Sequence, residues 1–289
     1  MKRSLKNHCI ITICSCVFIF YSLHPAAAQE SRNALKGEDS LKQLIKSLPG
    51  FSNYGDAYFI TGISVDEPVN EETSDAKIAF GFKQRLSNWA LPYESYVYFT
   101  YRQQTFWDFY QESFPIRENN YQPGLGIYKI FHNDTKITGG LWLGFEHQSN
   151  GRDGDRSRSW NKFYGQFLKP INNNALVRLK AWAPVGGMDG NEDITDFRGF
   201  FELGSTYRPI KNVLLDFDFR QSFSDGLRGS LKLGISYKIS KTFDQFIYLQ
   251  YFNGYSEDLI NYDRQVNNLR IGIAFRDLFS ILSKRKRCF

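Results

Sequence analysis

The chain is poor in cysteine and histidine, with four residues of each. Three of these cysteines and two of these histidines lie within the first 24 residues. If that segment is removed after export, Cys288 is the only thiol left, which excludes an intrachain disulfide. His132 and His147 are then the only imidazoles available for acid–base or metal chemistry.

The N-terminal segment has the pattern of an export signal. A basic start at residues 2–6 is followed by an apolar run over 9–23 and by three alanines at 26–28. This order predicts a signal peptide over residues 1–28, cleaved after Ala28. An uncleaved anchor helix is the alternative, and the small residues beside the run argue against it.

Long apolar runs are absent after the signal, since no later segment reaches the ~18 apolar residues that suggest a membrane-spanning helix. The formal net charge of +6 comes from the two ends of the chain, residues 2–6 and 284–287. The body is therefore close to neutral, and no nucleic-acid partner is indicated. Aromatic residues make up 17% of the chain, which is typical of exported membrane β-barrels.

Residues 29–55 are polar, and we interpret them as an N-terminal periplasmic arm, although a disordered lead-in is an equal alternative. From residue 56 onwards apolar side chains recur at every second position, as at 231–239 and 269–275. Successive side chains of a strand point to opposite faces. Each of these segments therefore has one apolar face and one polar or small face.

Twelve strands are predicted from this alternation: 56–64, 76–86, 94–107, 119–131, 135–149, 159–169, 174–185, 196–206, 212–223, 229–240, 245–255 and 265–276. The even number and the length of the strands favour an all-β fold, a closed antiparallel transmembrane barrel over residues 56–279. A soluble β-sandwich shows the same alternation. Residues 280–289 are predicted to be a basic C-terminal extension.

Three polar residues interrupt the predicted outer face near one rim. His147 and Ser149 continue the apolar parity of the strand at 135–149, and Asn161 shares the parity of the apolar residues of the next strand. Because the loop at 150–158 makes these strands an antiparallel pair, all three side chains are expected together on the lipid side.

The chemistry of a serine hydrolase suits this trio. A serine hydroxyl needs a base to take its proton, and imidazole performs that role near neutral pH. Asn161 would orient the imidazole of His147, and a neutral amide avoids a charge at a lipid-facing surface. The Gly-x-Ser-x-Gly elbow of α/β hydrolases is absent. The alternative is structural: Ser149 would end a strand at a turn, and His147 would be an interfacial ring.

The segment His147–Arg152 (His-Gln-Ser-Asn-Gly-Arg) with residues 157–161 (Ser-Arg-Ser-Trp-Asn) resembles the signature of outer-membrane phospholipase A. Residues 114–123 and 251–262 are also similar to that family. The resemblance implies a twelve-stranded barrel of the Gram-negative outer membrane. It also implies hydrolysis of phospholipid acyl esters at sn-1 and sn-2, and of lysophospholipids.

The resemblance further implies roles for single residues. Ser149 would be the nucleophile, His147 the general base and Asn161 the residue that orients it. The Gly151 amide would stabilise the oxyanion together with Ca²⁺, which would be bound through the Arg152 carbonyl and through Ser157.

The resemblance implies an active homodimer as well, with Gln103 at the interface and Ser113 of the partner subunit completing the calcium site. An EF-hand is rejected, because the loop that begins at Asp153 has Tyr164 at its twelfth position. We hypothesise that Asp153 or Asp155 adds charge near the ion.

Two other classes of barrel compete with this interpretation. A porin or passive channel explains the strands but not the outward His147, Ser149 and Asn161. A lipid A deacylase would use a His–Ser pair, but without the Asn-Gly-Arg and Ser-Arg-Ser-Trp-Asn segments. Fatty-acid release from phospholipid separates both alternatives from a phospholipase.

Overall fold

The computed structural model describes residues 45–46, 48–87, 91–133, 136–188, 190–224, 226 and 228–276. Contacts divide the chain into two units, residues 1–36 and 37–289, and every described residue belongs to the second unit. The predicted signal peptide (1–28), most of the predicted arm and the predicted extension (280–289) lie outside the described residues.

The described residues form thirteen strands: β1 (Phe51–Asn53), β2 (Ala57–Ser64), β3 (Ser74–Arg85), β4 (Ser95–Trp107), β5 (Ile116–His132), β6 (Ile137–Ser149), β7 (Ser159–Asn172), β8 (Ala175–Val185), β9 (Phe201–Tyr207), β10 (Val213–Gln221), β11 (Gly229–Lys238), β12 (Gln245–Gly254) and β13 (Val266–Phe275). The described elements also include a short helix, α1 (Ile194–Arg198), and two 3-10 turns, Pro92–Glu94 and Gly154–Arg156.

The sheet closes on itself. Each strand from β4 to β13 pairs antiparallel with the next, β13 pairs with β2, β2 with β3, and β3 with β4. The short β1 pairs with the same edge of β3 as β2 does, so the two lie end to end. Twelve strand positions therefore surround the barrel, and the predicted fold class is confirmed.

Two predicted boundaries are corrected. The sheet begins at Phe51, inside the predicted arm, because β1 already pairs with β3. Between β1 and β2 the chain turns at Gly55, with a φ of 82°, and Asp56 forms an ion pair with Arg276 at 3.1 Å. An ion pair across such a sequence separation leaves no local signal.

The predicted strand 196–206 is also wrong at its start, where residues 196–198 belong to α1 instead. Phe197 on this helix is buried and contacts the rings of Tyr255 and Tyr262. Phe197 supplies an apolar position that fits strand alternation, but its ring partners come from the loop after β12. The strand itself starts at Phe201.

The barrel has an apolar outer wall and a polar interior. Large apolar side chains such as Leu125, Leu143 and Phe163 are exposed on the outside, each by more than half of its surface. Charged and amide side chains such as Glu118 and Gln250 are fully buried inside. No helix in the described part of the chain is long and apolar enough to cross a membrane.

Candidate active site

The three polar residues singled out in the sequence lie on one face of the β6–β7 hairpin. His147 is directly opposite Asn161, and Ser149 is opposite Ser159. Phe145 is opposite Phe163 in the same register, and both rings are exposed on the outer wall. Directly opposite residues share a face. His147, Asn161 and Ser149 therefore lie on the same outer face as Phe145 and Phe163.

His147 and Asn161 are hydrogen-bonded, with 2.8 Å between Nδ1 of the ring and Oδ1 of the amide. An amide oxygen can only accept, so this bond requires a proton on Nδ1. In a neutral imidazole the lone pair then lies on Nε2. The geometry therefore holds His147 in the tautomer that a general base needs.

Ser149 lies two residues beyond His147 on the same strand and the same face. Such positions are roughly 6.6 Å apart along a strand, a spacing that the two side chains can bridge. Within the described residues no hydrogen bond joins His147 to Ser149. A base–nucleophile contact often tightens only when substrate is bound.

The inner face of the same hairpin is a closed polar network. Lys162 Nζ lies 2.7 Å from Glu146 and donates to Gln148 Oε1 at 3.3 Å. The indole of Trp160 donates to the same oxygen at 3.1 Å. All four side chains are nearly inaccessible to solvent. Buried charges that are paired and hydrogen-bonded resist displacement, so the hairpin is fixed from within the barrel.

Asn150 organises the loop that joins β6 to β7. Its side-chain oxygen accepts from the backbone N–H groups of Arg152 and Arg158, at 3.3 and 3.0 Å. Its side-chain nitrogen donates to the Arg156 carbonyl at 2.8 Å. A single buried amide therefore bridges both arms of the loop at 150–158.

Gly151 occupies a position that favours glycine. Its φ is +68°, and a Cβ at this residue would lie 2.9 Å from the ring of Tyr121. Tyr121 is directly opposite Ser149. The backbone of Gly151 therefore lies close to the Tyr121 ring, next to Ser149, and a side chain at Gly151 would prevent this approach.

The loop offers oxygen ligands for a hard cation. The carbonyls of Asp155, Arg156 and Ser157 already accept hydrogen bonds, whereas that of Arg152 accepts none among the described residues. Ser157 adds a hydroxyl, and Asp153 is exposed.

Calcium takes six to eight oxygen ligands, so the residue types fit this ion. The described residues contain no group of three or more His, Cys, Asp or Glu side chains that could hold a metal by themselves.

The two residues predicted at a subunit interface lie on β4 and in the loop that follows it. Gln103 is on the outer face of β4, where it accepts from the Tyr101 hydroxyl at 2.8 Å and donates to Thr105 at 3.3 Å. Ser113 is exposed in the β4–β5 loop, with a φ of +68°. No hydrogen bond in the described part of the chain joins Ser113 to the loop at 150–158.

Sequence reasoning missed the residues that support His147, Ser149 and Asn161 from the inner face of the hairpin and from the neighbouring strand. The parity that places His147 and Ser149 outward also places Glu146 and Gln148 inward, but it does not identify their partners Lys162 and Trp160. The signal was available for these four, because the hairpin register pairs Glu146 with Lys162 and Gln148 with Trp160. The contact of Tyr121 with Gly151 depends on a third strand and had no comparable signal.

A closed β-barrel with an apolar outer wall and a polar interior is the architecture of an integral outer-membrane protein. The bonded His147–Asn161 pair beside Ser149 has the residue types of a serine hydrolase site. The chain matches the Phospholipase A1 family over residues 54–275. It is 32% identical over 222 residues to phospholipase A1 of Escherichia coli strain K12, covering 75% of this chain and 74% of the relative. The chain belongs to the phospholipase A1 family of outer-membrane β-barrels.

Two solved structures extend the comparison. A calcium-bound dimer of Salmonella typhi outer membrane phospholipase is 26% identical, with a TM-score of 0.71, over 85% of this chain and 100% of that chain. An active-site mutant of Escherichia coli outer membrane phospholipase A, with asparagine replaced by alanine, is 26% identical. Its TM-score is 0.71 over 84% of this chain and 99% of that chain.

Proposed function

We propose that this protein is a calcium-dependent phospholipase A that hydrolyses the sn-1 and sn-2 acyl esters of membrane phospholipids, and of lysophospholipids. The observation that carries the proposal is the 2.8 Å bond between His147 and Asn161 on the outer wall, beside Ser149. Because His147 and Ser149 lie at the end of β6, the site would face the interfacial layer of the bilayer, where the acyl esters of phospholipids lie.

Ser149 acts as the nucleophile and His147 as the base. His147 Nε2 takes the hydroxyl proton while the Ser149 oxygen attacks the ester carbonyl carbon. As the bond to the glycerol oxygen breaks, His147 returns the proton to that leaving alcohol. Water then attacks the acyl-enzyme by the same proton transfers, which releases the fatty acid and restores Ser149. Asn161 keeps the ring in its working tautomer throughout.

The oxyanion is stabilised beside the loop at 150–158. The Gly151 N–H donates to it, and oxygen atoms of the same loop would hold a cation. The Arg152 carbonyl and the Ser157 hydroxyl would hold Ca²⁺, with Ser113 of the partner subunit completing its shell. When bound, calcium supplies positive charge next to the developing negative charge.

The active form is a homodimer in the outer membrane. Barrel sides that carry Gln103 meet, and the clefts beside them accept acyl chains. The dimeric, calcium-bound Salmonella typhi relative supports this arrangement.

The test is release of fatty acid from mixed micelles of phosphatidylcholine and detergent. We expect release with calcium, little release with a chelator, and none from Ser149→Ala. Circular dichroism and heat-modifiable gel migration establish that each variant is folded. Release that persists in folded Ser149→Ala, or no release from folded wild-type protein with calcium, would overturn the assignment.

A further inference from the structure

A β-bulge at the top of β5 brings two consecutive residues to the interior of the barrel. Phe106 on β4 is opposite Glu118, but the next residue, Trp107, is opposite Ile116. Arg117 is therefore the extra residue. In a regular strand, neighbours point to opposite faces, whereas a bulge redirects one of them. Glu118 is fully buried, and the Arg117 guanidinium also reaches interior carboxylates.

Glu118 and the Arg117 carbonyl both hold Arg152. The Arg152 Nε donates to Glu118 Oε2 at 3.4 Å, and its Nη2 donates to the Arg117 carbonyl. Glu118 is fixed in turn by Asn120, which donates to its other oxygen at 2.8 Å. Arg117 has no register partner on β4 because of the bulge, and its carbonyl accepts the hydrogen bond from Arg152 Nη2. The side chain of Arg152 is thus anchored inside, while its own backbone belongs to the proposed calcium loop.

The Arg117 side chain holds the other loop. Its guanidinium lies 2.6 Å from Asp108 and 2.7 Å from Asp75. Asp108 is the first residue after β4, and its N–H donates to the Pro115 carbonyl at 3.0 Å. This pair closes the base of the loop that carries Ser113.

We infer that Arg117 and Glu118 form a shared anchor in each protomer: it positions the Arg152–Ser157 half of one calcium site and the Ser113 loop that completes the site of the partner subunit. The inference rests on the proposed function. Neither residue binds the ion; both act through other residues and are positioning residues. Partners behind metal ligands typically change metal affinity by about 10- to 100-fold when they are removed.

If the anchor acts as inferred, its removal weakens calcium binding but leaves the turnover number at saturating calcium nearly unchanged. Glu118→Gln keeps the size of the side chain but removes the negative charge that holds Arg152. We expect its calcium dissociation constant to rise about tenfold. The turnover number at saturating calcium should stay within about twofold of wild type, because His147, Ser149 and Asn161 are untouched.

The chain offers a matched control in Glu202→Gln. Glu202 lies 3.5 Å from Arg178, nearly the same separation as Glu118 from Arg152, but on β9. Loss of this pair should leave calcium affinity unchanged. Asp108→Asn tests the second half: it frees the Ser113 loop, leaves Arg152 anchored, and should also weaken calcium binding.

The measurement is calorimetric titration of the detergent-solubilised full-length protein with calcium chloride, together with the calcium dependence of hydrolysis. In an Arg152→Ala background, Glu118→Gln should have little further effect, since it acts through Arg152. Wild-type affinity in Glu118→Gln would overturn the anchor alone. If wild-type protein bound no calcium by calorimetry, the calcium part of the proposed function would fail and the anchor with it.

Discussion

The outer and inner faces of the β6–β7 hairpin differ in chemistry although they share the same backbone. On the outside, Phe145 and Phe163 are exposed beside the bonded His147–Asn161 pair. On the inside, charged and amide side chains are buried and bonded to one another, beginning with Lys162 and Glu146 at 2.7 Å.

The outer face carries the side chains proposed to react, and the inner face fixes the position of the strands. A nucleophile and its base need access to substrate, whereas the strand that carries them needs a fixed position. The alternation of a strand satisfies both needs, because each reactive side chain has a buried neighbour that holds the backbone from behind. Changes on the outer face should therefore alter turnover, and changes on the inner face should mainly alter stability.

The largest expected effect is on the outer face. Ser149→Ala and His147→Ala should each lower turnover by about a thousandfold or more, because the nucleophile or the general base is lost. Ser159→Ala is the matched control, since Ser159 is opposite Ser149 on the same face and should retain activity. Steady-state fatty-acid release measures all three; equal losses would deny Ser149 a special role.

Lys162→Met should have the largest effect on the inner face. It leaves Glu146 buried with its nearest cation removed, which should cost about 3 kcal/mol of unfolding free energy. Lys238→Met is the control: its partner Asp244, at 2.6 Å, is more than half exposed, so the cost should be at most about 1 kcal/mol. Urea unfolding in micelles measures both. A similar cost for the two variants would remove the distinction between the faces.

Asn161→Ala should have a smaller effect than His147→Ala. Losing orientation forfeits only part of the general-base contribution, so we expect a drop of about tenfold to a hundredfold. Asn161→Asp keeps an oxygen acceptor for the His147 ring and should retain more activity than the alanine variant. If Asn161→Ala lost as much turnover as His147→Ala, the orienting role would be wrong.

The smallest effect is expected in the exposed loop. Asp153→Asn and Asp155→Asn together should raise the calcium dissociation constant about threefold, since fewer ligand charges weaken calcium binding. Calorimetry with calcium chloride measures this change. An unchanged affinity would mean that the calcium site uses only neutral oxygen ligands. Charged side chains would then act only inside the barrel and not at the outer rim.

The sequence predicted the fold where the pattern is local. Alternation located all twelve barrel strands, and parity alone assigned His147, Ser149 and Asn161 to one face. Both features repeat every two residues, so they can be found without knowing which strands are neighbours.

The remaining features depend on contacts between distant segments. The bulge that turns Arg117 inward exists only relative to the register with β4. The ion pair between Asp56 and Arg276 joins the residue before β2 to the residue after β13. The helix at Phe197 is held by rings from the loop after β12. The partners in the ion pair and in the ring contact are far apart in sequence, and the register of paired strands cannot be read from the local alternation.

The most direct test of the account is covalent labelling of Ser149 with a long-chain alkylsulfonyl fluoride in micelles, followed by mass spectrometry of the peptides. An activated serine displaces fluoride, whereas an ordinary surface serine does not react. We expect labelling at Ser149 alone, with loss of labelling in His147→Ala. Equal labelling of Ser149 and Ser159, or undiminished labelling in His147→Ala, would contradict it.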